Sequence, residues 1–311
     1  MSGTKMPLTQ LQQDIDNWLD ILSSQRYASD HTLAAYQRDL NKLAQFLTRE
    51  NCHDWAELDN DRLTRFIGPL LSTNSLLPIS VQRMLSAIRG FYDWLVQQHR
   101  LSYNPAKAFK IKRQHRELPK VMDVDLVNQL LDAPAPDTPH AAKLWLRDKA
   151  IMELLYSSGL RVSELSNCLL NDIDLSSALI TVIGKGKKTR VLPVGRKAIS
   201  AIKDWLKIRS DFIKAETGNH IFLNERGGRF TERGIQQALA YQAQRVGIPQ
   251  HLHPHLLRHC FASHLLESSQ DLRAVQELLG HASISTTQIY THLDYQHLAQ
   301  VYDQSHPRAK K

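Results

Sequence analysis

Three cysteines in 311 residues, Cys52, Cys168 and Cys260, are too few and too widely spaced for a disulfide framework or a CxxC metal knuckle, which fits a reducing compartment. No apolar run approaches the roughly 18 residues needed to cross a bilayer. The opening MSGTKMPLTQLQQDIDNW lacks the apolar core of a secretory signal, so a soluble, cytoplasmic protein without membrane insertion is expected. Carboxylates are absent where histidines gather: HLHPHLLRHCFASHLL, His251 to Leu266, holds five histidines and an arginine but no Asp or Glu. What is present leans basic, 39 Lys+Arg against 31 Asp+Glu, which suits a polyanionic partner such as nucleic acid.

The chain is long enough for two cores. Leu8, Leu11, Ile15, Trp18, Leu19 and Leu22 recur at helical spacing, and a second helix starts at the cap-like Ser29 with Leu33, Tyr36, Leu40, Leu43 and Leu47 inward. A third spans about Arg62 to Leu71. A fourth follows the breakers Pro78 and Ser80 with Val81, Met84, Leu85, Ile88, Phe91, Tyr92 and Leu95. The predicted unit, residues 1–104, is a four-helix bundle. Helical periodicity then stops, and residues 105–119, with Lys107, Lys110, Lys112, Arg113 and Arg116 between Pro105 and Pro119, read as a basic linker, either a solvated tether or a strap along phosphates.

Residues 120–311 are predicted to be mostly helical, at about 123–131, 141–157, 198–214, 231–246, 255–268, 271–279, 285–291 and 295–303. Leu179–Ile183 and Arg190–Val194 around Gly184–Lys188 predict a hairpin. The fold class expected is therefore mostly α, a four-helix bundle followed by an α+β domain with a small antiparallel sheet.

The histidine run admits two readings. His251, His253 and His255 alternate as ligands on a strand might, which would suit a metal-dependent phosphodiesterase, but Pro254 interrupts them and no carboxylate completes the set. A helix starting near Pro254 instead places His255 and Arg258 on one face. Arg161 in SSGLRVSEL, Lys185 at the hairpin tip and His281 after LLG extend the cationic set. Arginine forks bind the non-bridging oxygens of a phosphate and stabilise a pentavalent transition state, so the set fits phosphoryl transfer with no metal and no cofactor. Tyr290 in STTQIYTH is the candidate nucleophile; a phenol with a pKa of about 10 needs such cations and a base to react. Each residue alone has an ordinary reading: an Arg161–Glu164 ion pair, an exposed turn lysine, a helix-end histidine, a half-buried helix aromatic. His259 and His264 are expected to be packed, hydrogen-bonded core or surface residues, and Tyr295 and Tyr302 to be decoys.

Arg161 in GLRVSEL, Lys185 in GKGKKTRVLP, His255 and Arg258 in HPHLLRH, and His281 and Tyr290 in LLGHASISTTQIYTH resemble, in order and spacing, the signature of the tyrosine recombinase (phage integrase) family. The likeness reaches the first unit through LSAIRGFYDWLV and NPAK. It is greatest to the bacterial chromosome-dimer recombinases, through THLDYQHLAQVYDQSHPRAKK. It implies a SAM-like core-binding domain over 1–104, a catalytic domain over 120–311, and cleavage of double-stranded DNA through a 3′-phosphotyrosine on Tyr290. By the same resemblance Arg161 and Arg258 clamp the phosphate, Lys185 protonates the leaving 5′-oxygen, His255 assists the tyrosine proton and His281 hydrogen-bonds the phosphate. The resemblance also implies a dif-like site, a XerD-like recombinase in a cyclic heterotetramer, an FtsK-type DNA translocase as regulator, and a place on the bacterial nucleoid. Residues 295–302, with Leu298, Val301 and Tyr302 apolar, would dock on a neighbouring protomer. STNSLLP (72–78), Leu256 and Cys260 depart from the family pattern. A family member that binds DNA without catalysis is the other alternative. The helix at 231–246, with Thr231, Arg233, Gln236 and Gln237, is the candidate for reading bases.

Overall fold

The structure, a computed structural model, describes residues 10–25, 28–72, 76–110, 121–184, 189–279 and 301–309. The chain divides into two compact units, Met1–Arg116 and Glu117–Lys311.

In the first unit, α1 (Gln10–Ser24), α2 (Asp30–Arg49), α3 (Asn60–Ser72) and α4 (Pro78–Gln97) form the expected bundle. Ser29 caps α2 by accepting the Thr32 N–H. Pro78 does not break a helix; it starts one, because the first helical residue needs no N–H partner and its φ is already helical. The inward stripes meet around Phe91, which contacts Trp55 (ring centroids 4.7 Å apart) and Trp18 (5.7 Å) edge-on. Burying Phe91 contributes about 2 kcal/mol or more. Arg89 donates to the carbonyls of Ala106 and Phe109, and Asn104 Nδ2 donates to Arg89 O, so Asn104–Lys110 is folded onto α4. Ala106 is fully buried and Phe109 packs against the same core. The linker expected over 105–119 thus begins as part of the bundle; its residues 111–119 lie outside the described residues.

The second unit is built around α6 (Pro139–Ser158), which packs against α5 (Val124–Leu131), α7 (Val162–Asn167), α8 (Arg196–Ile208), α9 (Glu232–Val246) and α10 (Pro254–Ser269). α11 (Leu272–Leu279) follows. Every residue of α6 from Ala150 to Ser158 is buried. The hairpin is present as β2 (Leu179–Ile183) and β3 (Thr189–Pro193), antiparallel, with Val182 opposite Arg190. A third strand, β1 (Ile173–Asp174), pairs with β2. It was not expected, because two residues carry no readable alternation; Asp174 turns the chain from β1 into β2 by accepting the Ser176 and Ser177 N–H groups.

The segment 301–309, helical over 301–305, folds onto this unit. Tyr302 is 1 % exposed and stacks on His306, and Arg308 pairs with the fully buried Glu153 and with Asp132. The Arg308 guanidinium, with Lys197, holds the Asp132 carboxyl down at about 2. The apolar face expected to serve a neighbouring protomer is corrected here: Tyr302 lies in the chain's own core and Val301 packs against it. Leu298 lies outside the described residues. All three cysteines are buried free thiols.

Candidate phosphate-binding site

Two arginines far apart in sequence are brought together at the C-terminal end of α6. Gly159 closes that helix in the left-handed region (φ 58°), where a side chain would be strained and would collide with the Phe261 ring. The turn delivers Arg161 to the N-cap of α7. Its backbone N–H donates to Glu164 Oε2 (2.9 Å) and its Nη1 to Glu164 Oε1 (2.9 Å), the ion pair foreseen as its ordinary reading. Arg161 keeps a third of its side-chain surface in solvent while Glu164 is almost fully enclosed.

Arg258 reaches the same place from the first half of α10. Its Nη1 donates to Gly159 O and its Nη2 to Leu279 O (2.7 Å), which ties the ends of α6 and α11 to one guanidinium. Burial first, and the Arg161 charge next, pull Arg258 down to about 10, so it remains cationic at neutral pH. The Arg258 guanidinium, held by two carbonyls, and the neighbouring Arg161 guanidinium, held by the Glu164 carboxylate, form a concentrated positive site, suited to an oxyanion that accepts several N–H bonds at once.

His255 stands exposed on the first turn of α10, three residues before Arg258 and on the same helical face. The rival metal reading loses its middle ligand. His253 is the N-cap of α10, and its Nδ1 accepts the Leu256 N–H (3.1 Å) while burial lowers its pKa. Among the described residues no group of three or more His, Cys, Asp or Glu could hold a metal ion. His264 is buried and shares a 2.8 Å hydrogen bond with the Tyr156 hydroxyl, and His259 faces solvent beside Ser263. Tyr302 is set apart as a nucleophile by complete burial, which pushes its phenol far above the ordinary value. Lys185, His281 and Tyr290 lie outside the described residues.

Sequence reasoning overlooked Arg190. On β3 it shares its side with Leu192, which is buried, while Val191 points outward. An arginine in phase with a core residue on a five-residue strand was the available signal. Leu256 and Cys260, where the chain departs from the expected pattern, are both buried in the core. Thr231, Arg233, Gln236 and Gln237 are exposed at the start of α9, with Thr231 capping it.

Residues 120–297 match the phage integrase family, and residues 15–99 match the phage integrase N-terminal SAM-like domain. The chain is 48% identical over 302 residues to the tyrosine recombinase XerC of Azotobacter vinelandii, covering 97% of this chain and 98% of that one. It is 47% identical over 301 residues to the XerC of Pseudomonas syringae pv. tomato, with the same coverage. Among solved structures, the XerH site-specific recombinase bound to a palindromic difH substrate in a post-cleavage complex superposes with a TM-score of 0.66 at 22% identity, over 93% of this chain and 84% of that one. A lambda integrase dimer bound to a core site superposes with a TM-score of 0.65 at 18% identity, over 90% and 98%. These two are likenesses of fold.

Proposed function

The chain belongs to the phage integrase family of tyrosine recombinases, enzymes of site-specific DNA cutting and rejoining, and we propose that Tyr290 is its nucleophile, acting on a phosphate held by Arg161 and Arg258. The observation that supports this reading is that Arg258, 97 positions after Arg161, donates to Gly159 O, the carbonyl two residues before Arg161, which brings the two guanidiniums to the same end of α6.

In the proposed reaction Tyr290 Oη attacks the scissile phosphorus, with His255 assisting removal of its proton. The 5′-oxygen leaves with a proton from Lys185, His281 hydrogen-bonds a non-bridging oxygen, and a 3′-phosphotyrosine remains. The incoming 5′-hydroxyl reverses these steps, so the phosphodiester energy is retained and no nucleotide is consumed. Cationic side chains supply the charge stabilisation that other phosphoryl transferases draw from a metal, and the reaction is proposed to be metal-independent. The XerC likeness supports a narrower role: resolution of chromosome dimers at a dif-type site on the nucleoid, with a XerD-like recombinase in a cyclic heterotetramer under an FtsK-type translocase. The proposed division of labour is a DNA-binding bundle that continues through Lys110, a basic linker after it, and a catalytic domain over 120–311.

A nicked suicide dif-type substrate in EDTA is expected to trap a covalent complex that Tyr290→Phe abolishes. Arg258→Ala is expected to lose cleavage and keep specific binding, since binding is spread over many phosphates. Trapping that requires added metal, or that survives Tyr290→Phe, removes the proposal.

A further inference from the structure

Glu164 is shared by two arginines, and only one of them faces solvent. Its Oε1 receives Arg190 Nη1 (2.8 Å) and Arg161 Nη1 (2.9 Å), and its Oε2 receives Arg190 Nη2 (2.9 Å) and the Arg161 backbone N–H (2.9 Å). A carboxylate has about four lone-pair sites, so these four bonds saturate it. Arg190 grips it with both arms of its fork, whereas Arg161 engages it through one guanidinium nitrogen. Arg190's side chain is 10% exposed against 33% for Arg161. Burial alone would raise the Glu164 carboxyl, but the Arg190 hydrogen bonds and the Arg161 N–H outweigh it and hold it below its ordinary value.

Packing does not explain an arginine here. The adjacent in-phase position on β3 is Leu192, and an apolar residue at 190 would avoid the desolvation of a charge whose Nε is buried without a partner. We propose that Arg190 is a positioning residue for strand cleavage: by occupying one site on each Glu164 oxygen it prevents Glu164 from clamping the Arg161 guanidinium with both oxygens, and so keeps that guanidinium turned to the phosphate. Without Arg190, Glu164 and Arg161 collapse into a bidentate pair, the preferred geometry of an isolated arginine and carboxylate. A misplacement of this kind costs on the order of 100-fold in rate while leaving most DNA contacts in place.

This rests on the proposed cleavage reaction. The test is single-turnover covalent trapping on the suicide substrate at saturating protein, with DNA affinity measured separately. Wild type and Tyr290→Phe serve as controls for the reaction itself. Arg190→Gln is expected to lower the cleavage rate by about 10-fold to 100-fold and to change the Kd by less than about threefold. Arg190→Lys, which keeps the charge but not the fork, is expected to restore little. Glu164→Gln removes the carboxylate through which Arg190 acts, so adding Arg190→Gln to it is expected to change the rate by less than about threefold. The double variant has no uncompensated buried charge, while Glu164→Gln alone leaves Arg190 without its carboxylate. Circular dichroism confirms the fold of each variant before rates are compared, and Arg190→Lys against wild type carries the test if either Gln variant fails to fold. A wild-type rate in Arg190→Gln, full rescue by lysine, or a further loss of tenfold or more in the double variant overturns the inference while the cleavage reading stands. A wild type that traps no DNA removes both.

Discussion

His306 gives the catalytic unit a titration that sequence composition does not reveal. Its ring is fully buried among Tyr302, Tyr156 and Phe261, with centroids 4.9, 5.0 and 5.5 Å away. Nε2 donates to Tyr156 O (3.1 Å), so Nδ1 must be the acceptor for the Arg308 N–H (3.2 Å), and only the neutral ring satisfies both. Burial pushes its pKa down to about 3, the neighbouring His264 and Arg308 add to the fall, and the hydrogen bond to Tyr156 O opposes it. In the unfolded chain the ring titrates near its ordinary value of about 6.5. The unfolded state therefore takes up the proton first as pH falls, and the native state loses stability from about pH 6.5 downwards until about pH 3. Between about pH 7.5 and about pH 5 the loss from this one group is about 2 kcal/mol. His306→Gln keeps a donor and an acceptor but cannot titrate. Urea unfolding of both proteins across that range should show the wild type losing about 2 kcal/mol more than the variant; groups common to both, such as His264 and Glu153, cancel in the difference. Parallel pH dependences would refute the reasoning.

Two further perturbations test the frame around the arginines. Gly159→Ala places a Cβ against the Phe261 ring at φ 58°, adding about 1 kcal/mol of backbone strain to the clash. It is expected to lower the Tm and, by shifting Gly159 O away from Arg258, to cut single-turnover cleavage more than about tenfold; an unchanged rate would contradict the role given to that carbonyl. Arg308→Met strands Glu153, which is fully buried, at an expected destabilisation of about 3–5 kcal/mol. Adding Glu153→Gln should recover a substantial part, and a double variant no more stable than the single would argue against the pair.

Much of this architecture was legible because apolar spacing and caps carry it. Ser29, Asp123, Thr138 and Thr231 each accept a backbone N–H at the start of a helix, and short polar residues before an apolar period announce that. Arg161, His255 and Arg258 could be nominated by residue type and order, and the structure supplies the tie between the two arginines. What stayed hidden depends on contacts between residues distant in sequence. Ala106 and Phe109 read as linker because five basic residues surround them, yet Arg89 binds their carbonyls. Tyr302 read as an interface aromatic because its partner His306 becomes a stacking neighbour only after the chain turns back. Arg190 read as the polar start of a strand, since nothing local tells that Glu164 waits on the inner side.

The burial of the second half of α6 on every side has a consequence for how this sequence can vary. A typical surface helix offers a solvated face where substitutions drift freely. From Ala150 to Ser158 there is no such face, and the polar members are committed too: Glu153 to Arg308, Tyr156 to His264, Ser158 to the carbonyl of Pro193. A change on one side of this helix meets α10 and on another meets α8, so a tolerated substitution there needs a compensating one elsewhere. Sequence drift in the catalytic unit is therefore channelled to exposed positions such as Ser200, Lys203 and Lys207 on α8.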